Sequence, residues 1–479
     1  EDPLSLIMQL AGKDIPKSKL NKKNLTGANY EGYNLTGSNF NHSKLDNSSF
    51  KDAVLDECSF KDVNLEGADM RAYSMLRVNL NKSNLKGVNL RNVVMSKCSM
   101  NDSNFDGADL SNVSMKRPTM DNATFRGANL KCIELIKIKD SEGAISFEGA
   151  DISCGVIEFN QKDKSNILLN GANLIGIRLV NCNIFNQEIT ADFSKGNMNG
   201  LSASGVTFSR CDFTRCNMVD TEYKNCIFNN VVFDHSTLDS VIFADCVFNK
   251  CSFRKVKSLI QIIFLGVKLT NCTFDDCGST TLGDRQILDI SFNKKRAEFV
   301  KCNFLNTELA LSNTPDKFKL IECNFKGVTL FVELDNARLL GCTFEDSSIT
   351  ENSHIEQSKI NNCTFIGFDL DGSNLKSNFI HNTTFEGGSM SGAQFVSNDI
   401  TQTTFKGVFF VNTGIEDNEM KEVLFENVKM RKSYFLNNGD QGYTFENSTA
   451  TDSDVAKNIP GLTHHTKEVS IKTKDEPDS

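Results

Sequence analysis

The sequence predicts an all-β solenoid with four short sides per coil. Three observations carry that prediction: apolar residues recur every five positions, glycine or asparagine recurs every twenty, and small side chains recur two residues before the large apolar ones. Every fifth residue from Leu20 to Leu135 is apolar, 24 in 24 positions, against a hydrophobic content of 39%. Chance gives such a run odds of about one in ten billion, so the period is a repeat. Residues five apart sit about 140° apart around an α-helix and on opposite faces of a strand, so neither regular element buries the pattern. The chain must turn every five residues.

The small residues place the second inward position. Ala28, Ser48, Cys58, Val63, Ala68, Val88, Ala108 and Ala128 each precede a large apolar residue by two. In extended chain such a pair shares a face, so both point inward while three polar neighbours face water. The longer period sets the number of sides. Segments opening at Leu25, Leu45, Leu65, Leu85, Phe105 and Phe125 read LTGANY, LDNSSF, LEGADM, LKGVNL, FDGADL and FRGANL. Their third residues are Gly27, Asn47, Gly67, Gly87, Gly107 and Gly127, types that accept positive φ cheaply, so one corner of each twenty-residue coil is expected to be left-handed. Less regular markers follow at Phe147, Leu169, Phe193, Phe213 and onward to Phe445, a mean spacing of about 21 residues and about 21 coils.

These segments, with A-N-L and A-D-L triplets throughout, resemble the pentapeptide-repeat family, whose motif is A-(D/N)-L-x-x, over roughly residues 18–457. The resemblance implies a single-chain, right-handed quadrilateral β-helix; the handedness comes from the family alone. Extra residues at 136–146, 158–168, 255–263, 275–297 and 310–320 are expected to form surface loops, where solenoids often place binding residues. Residues 1–17 read as a capping helix and lead-in, with Asp2 as N-cap, Pro3 at the first helical position and Gly12 at the end. Residues 458–479 lack the repeat and read as a charged, disordered tail.

Composition narrows the function. The 479 residues would make about three domains by length, yet 36 Phe, no Trp and 16 Cys fit one repeated code better. A net charge of −9 provides no general attraction for nucleic acid or an anionic membrane, and no apolar run is long enough to span a bilayer. The charge is uneven: residues 1–135 carry 18 basic and 16 acidic side chains, whereas residues 339–479 carry 11 and 21. Glu416, Asp417, Glu419 and Glu422 form a local cluster that reads as an acidic docking patch for a basic protein partner.

Cysteine offers the most tempting chemistry. Cys251, Cys272, Cys302, Cys323, Cys342 and Cys363 repeat at the inward small site as C-x-F, which reads as structural filler, since a straight column of thiols lacks the tetrahedral cage zinc needs. Cys132, Cys154 and Cys277 fall outside that pattern, and Cys277, beside the longest insertion, is the thiol to test for reactivity. Stacked thiols imply a reducing cytoplasm at the site of action. His42, His235, His354, His381, His464 and His465 make no metal or catalytic spacing, and no phosphate-binding fingerprint occurs. No catalytic residue, cofactor or metal is assigned.

The leading function is a non-enzymatic protein–protein interaction scaffold. By resemblance, long Asn- and Ser-rich chains of this family look like effectors that enteric bacterial pathogens secrete into host cells. Two alternatives stand beside it: a DNA mimic acting on a topoisomerase such as gyrase, or the targeting portion of a larger ubiquitin-ligase-like effector. End-to-end self-association through an uncovered terminal coil is left open.

Overall fold

The computed structural model describes residues 12–139, 142–160, 165–258, 260–278, 287–439, 441–456 and 459–465. They form a parallel β-solenoid in two compact units, Glu1–Ile263 and Phe264–Ser479. Most of the expected capping helix falls outside the described residues, as does most of the charged tail. The tail's first part is not loose chain: Leu462–His465 is a strand paired in parallel with Ser448–Thr451, so the solenoid runs past its expected end at 457.

The first unit follows the five-residue code closely. Bridges join residues twenty apart, as in Asn24↔Lys44, Lys44↔Asn64, Asn64↔Asn84 and Asn84↔Asn104, and each side of the coil has its own such ladder. The longer strands of one side, from Met75–Leu76 through Val94–Ser96, Ser114–Lys116, Glu134–Ile138 and Val156–Phe159 to Arg178–Val180, stack in chain order. Leu45, Leu65, Leu85, Phe105 and Phe125 are wholly buried; Leu25, in the outermost described coils, is half-buried.

Left-handed backbone is far commoner than expected. The corners of one coil, Asp52, Glu57, Asp62 and Gly67, all have φ between 55° and 67°, so nearly every corner is left-handed rather than one in four. A charged residue there costs about 1 kcal/mol relative to a right-handed conformation. The cost is offset because each corner N–H reaches the next coil, as Asp52 donates to the Arg71 carbonyl at 2.9 Å. Gly27, Gly87, Gly107 and Gly127 have open space around an added Cβ, so φ alone selects glycine there; at Gly67 a Cβ would also meet Asn47 Oδ1 at 2.8 Å.

The aromatic markers do not form one column. Leu169 lies on the side that continues through Ile189 to Phe208, whereas Phe193 stacks on the side of Leu174, whose N–H donates to the Asp192 carbonyl. The insertions near 140 and 160 lengthen two coils to 22 residues, and the step from Leu174 to Phe193 shortens to 19, so counting by markers slips one side. In the second unit the column is unbroken from Phe274 to Phe445. Its rings stack nearly parallel at 4.6–5.1 Å, as in Phe325–Phe344–Phe365–Phe385.

Candidate functional site

The inward small column explains the cysteines. Its side chains donate to the carbonyl of the large residue one coil back: Cys58 Sγ to Leu35 O at 3.0 Å, Ser103 Oγ to Leu80 O at 2.6 Å, Cys216 Sγ to Phe193 O at 2.8 Å. A thiol is therefore small filler that also satisfies a weak hydrogen bond. Burial pushes Cys58, Cys211 and Cys216 up to about 12, which makes them inert. Cys272, Cys302, Cys323, Cys342 and Cys363 form one such column in the second unit, and Cys251 holds the same position beside Phe253 in the first. Cys277, expected in a loop, is an inward residue 4% exposed, its N–H donating to Thr307 Oγ1 at 3.3 Å. It is not a reactive surface thiol.

Further along, the small column turns amide. Asn378, Asn398, Asn418 and Asn438 are buried on successive coils; each Oδ1 accepts the N–H of the residue one coil earlier at 2.9–3.1 Å, beginning with Ser358. Their Nδ2 groups donate to the carbonyls of Ile355, Leu375, Phe395 and Ile415. The ladder is closed on itself and serves structure.

A surface concavity arises where the coil changes width. The insertions before 297 and near 315 are not simply loops: they help lengthen one side, on which Ile287–Ser291, Glu308–Ser312 and Thr329–Asp335 pair in register. The next coil cannot match a seven-residue strand with one side. Thr329 and Leu330 pair with Ser348 and Ile349, and Glu333–Asp335 pairs with His354–Glu356, while residues 350–353 make a corner between them, with Glu351 and Asn352 exposed and Ser353 buried. That turn is held by Ser353 N–H to the Thr350 carbonyl at 3.0 Å and by Val332 N–H to Ser353 Oγ at 3.2 Å. Asn352 sits at φ 70°.

Two recesses of about 480 and 530 Å³ flank this ledge and share Phe331, Thr350 and Glu351. Glu308, Asp369 and Asp371 line the first, Glu333 the second, and no lysine or arginine lines either. Glu308 Oε2 is buried without a hydrogen-bond partner. Asp371 accepts from Ser389 Oγ and Ser391 N, both at 2.6 Å. Carboxylates gathered around a half-buried ring suit a cation carried on an apolar stem.

The predicted acidic patch is arranged differently. Glu416 projects from one side, Asp417 is the corner at φ 55°, Glu419 projects from the next side, and Glu422 is the following corner at φ 58°. The four charges thus lie across two consecutive corners and the sides beside them, and Glu422 accepts from Gln402 Nε2 at 3.0 Å. The ledge was missed in the sequence because only the alternation T-L-F-V-E-L-D at 329–335, too long for a five-residue side, announces it. Among the described residues no group of His, Cys, Asp and Glu is placed to hold a metal ion, and no helix is long and apolar enough to cross a membrane.

The family model for pentapeptide repeats matches eight copies, at residues 34–71, 75–112 and 95–131. No curated protein matches the sequence. Among solved structures, HetL, a pentapeptide repeat protein involved in heterocyst differentiation regulation in the cyanobacterium Nostoc sp. strain PCC 7120, is 17% identical, covering 50% of this chain and 94% of its own, with a TM-score of 0.18. A pentapeptide repeat protein of the Arabidopsis thaliana thylakoid lumen is 25% identical over 24% of this chain and 69% of its own, at a TM-score of 0.16. Full-length QnrB1, a plasmid-mediated fluoroquinolone resistance protein, is 17% identical over 47% and 91%, at 0.19. The chain therefore carries pentapeptide repeats, folded as a parallel β-solenoid.

Proposed function

We propose that this chain is a non-enzymatic interaction scaffold whose second unit docks a basic segment of a partner protein at the ledge. The observation that supports this most is the set of uncompensated carboxylates around Phe331, with Glu308 Oε2 buried and unpartnered. An arginine or lysine would bring its stem against the ring and its charge to Glu308, Glu351 and Asp369. Titration of fluorescent Arg- and Lys-rich peptides against wild type and a Glu351→Gln, Asp369→Asn double variant tests it. A loss of affinity of tenfold or more is expected, with strong salt dependence; equal affinity overturns the reading.

The buried, unlinked thiols favour a reducing compartment, and delivery from a bacterium into a host cell is proposed on the Asn- and Ser-rich composition alone. Duplex mimicry is opposed by the first unit, where one corner column carries Arg77, Lys97, Arg117 and Lys137 on successive coils, cationic where a mimic needs phosphate-like charge. Supercoiling by gyrase unaffected by the protein would agree with that. End-to-end self-association is a further proposal, and a sedimentation coefficient that does not rise with concentration would remove it.

A further inference from the structure

Fourteen of the sixteen cysteines are buried; Cys132 and Cys154 alone reach the surface. Both are corner residues, at φ 55° and 57°, on successive coils of one column that runs Asn92, Asn112, Cys132, Cys154 and Gly176. The register is fixed by Asn129↔Asp151 and by the Cys132 N–H, which donates to the Ser153 carbonyl at 2.8 Å. These corners accept residues of every kind because each corner N–H bonds the next coil, so the turn itself does not select cysteine at two successive positions. Nor are they filler, since neither points inward.

The two thiols sit on adjacent rungs of that column. Partial burial raises the Cys132 thiol, and the neighbouring Cys154 raises it further. Above them Gly176 presents no side chain; a Cβ built there would lie 3.8 Å from Cys154 Sγ, so glycine leaves that thiol open to reagents. Neighbouring parallel strands lie about 4.8 Å apart, inside the Cα separation of about 4.4–6.8 Å that a disulfide tolerates.

We propose that Cys132 and Cys154 form a surface dithiol that closes to a cross-coil disulfide by exchange with a low-molecular-weight disulfide of the glutathione type. The more exposed Cys154, as thiolate, attacks one sulfur of the oxidant, forming a mixed disulfide and releasing one thiolate. Cys132, losing its proton to solvent, attacks the Cys154 sulfur and expels the second thiolate. The protein gives up two protons and two electrons, and one disulfide becomes two thiols. The product ties two coils together across the insertion at 136–146, so a chain cut within that insertion stays joined until it is reduced.

Ellman's reagent added to the native chain should find two fast thiols, and none after treatment with oxidised glutathione. Non-reducing peptide mapping should then join the Cys132 and Cys154 peptides without added glutathione. Cys132→Ser and Cys154→Ser should each retain one fast thiol and stop at the mixed disulfide. A wild-type chain that accumulates stable mixed disulfide, links to a second copy, or shows no fast thiols overturns the proposal.

Discussion

Residues 34–131 of the first unit and residues 287–356 of the second use the same inward code to different ends. In the first, sides of five residues repeat so strictly that bridges fall twenty apart and the outer surface is a set of flat ladders. In the second, one side grows to seven residues and the coil beyond it returns to two short sides, leaving a ledge. The difference teaches that a repeat of this kind builds rigidity by regularity and a concave surface only by breaking it. Substitutions matched between the two regions test how far that holds.

The largest effect is expected in the stacked core. Leu85 is wholly buried between coils in register, and Leu85→Asp strands a carboxylate there at a cost of about 4 kcal/mol or more, read as a drop in midpoint on thermal or urea unfolding. Val332, 4% exposed beneath the ledge, is the matched site; Val332→Asp should cost less, because the turn at 350–353 offers polar groups and a route to water. Equal costs would show the widened coils to be packed as tightly as the square ones.

The inward polar columns give the next contrast. Asn398→Ala leaves the buried Asn378 N–H and the Leu375 carbonyl without their side-chain partners and interrupts the amide ladder, at about 2–3 kcal/mol. Ser83→Ala in the first unit removes a hydroxyl that bonds the Phe60 carbonyl and the Val63 N–H, at about 1–2 kcal/mol. At the corners, Gly87→Val should cost about 1–2 kcal/mol and Gly87→Asn almost nothing, since a Cβ fits and only the φ of 65° is at issue. A Gly87→Val chain that melts like wild type would break the left-handed corner.

Much of this fold was legible in the sequence because its code is local. Every fifth residue states which side chains go inward, and nothing remote has to be known to read it. What local reading missed has a physical cause in each case. The left-handed corners are held by hydrogen bonds to the next coil, so Asp52 and Glu57 adopt a conformation their own preferences disfavour. The buried Asn column is not announced in the sequence because asparagine is polar, and only stacking in register satisfies it inside. The Phe193 column slipped a side because coil length changed twice before it. The candidate site was the least legible: the charge cluster at 416–422 is dense along the chain but straddles two corners, whereas Glu308, Glu351 and Asp369 lie far apart in sequence and line one recess only through coil stacking.

Two glutamates on the second unit give the finest test, because both sit on widened coils and only one has cations. Glu298, 12% exposed, is approached by Lys268 and Lys319 at 3.4 Å and Arg296 at 3.7 Å. Burial pushes its carboxyl up, but the two lysines pull harder and hold it below the usual carboxylate range. A depressed carboxyl stabilises the fold above its unfolded pKa of about 4.3, and that contribution fades as pH falls through the lower folded value. Glu298→Gln should therefore cost under about 1 kcal/mol at neutral pH and nothing once the solution is acid enough to protonate wild type. Glu308 has a buried oxygen and no cation, so Glu308→Gln should leave stability unchanged or raise it by about 0.5 kcal/mol while weakening the basic peptide. If Glu308→Gln instead destabilised the chain as Glu298→Gln does, its carboxylate would be a structural partner rather than a vacancy for a ligand, and the ledge would lose its strongest argument.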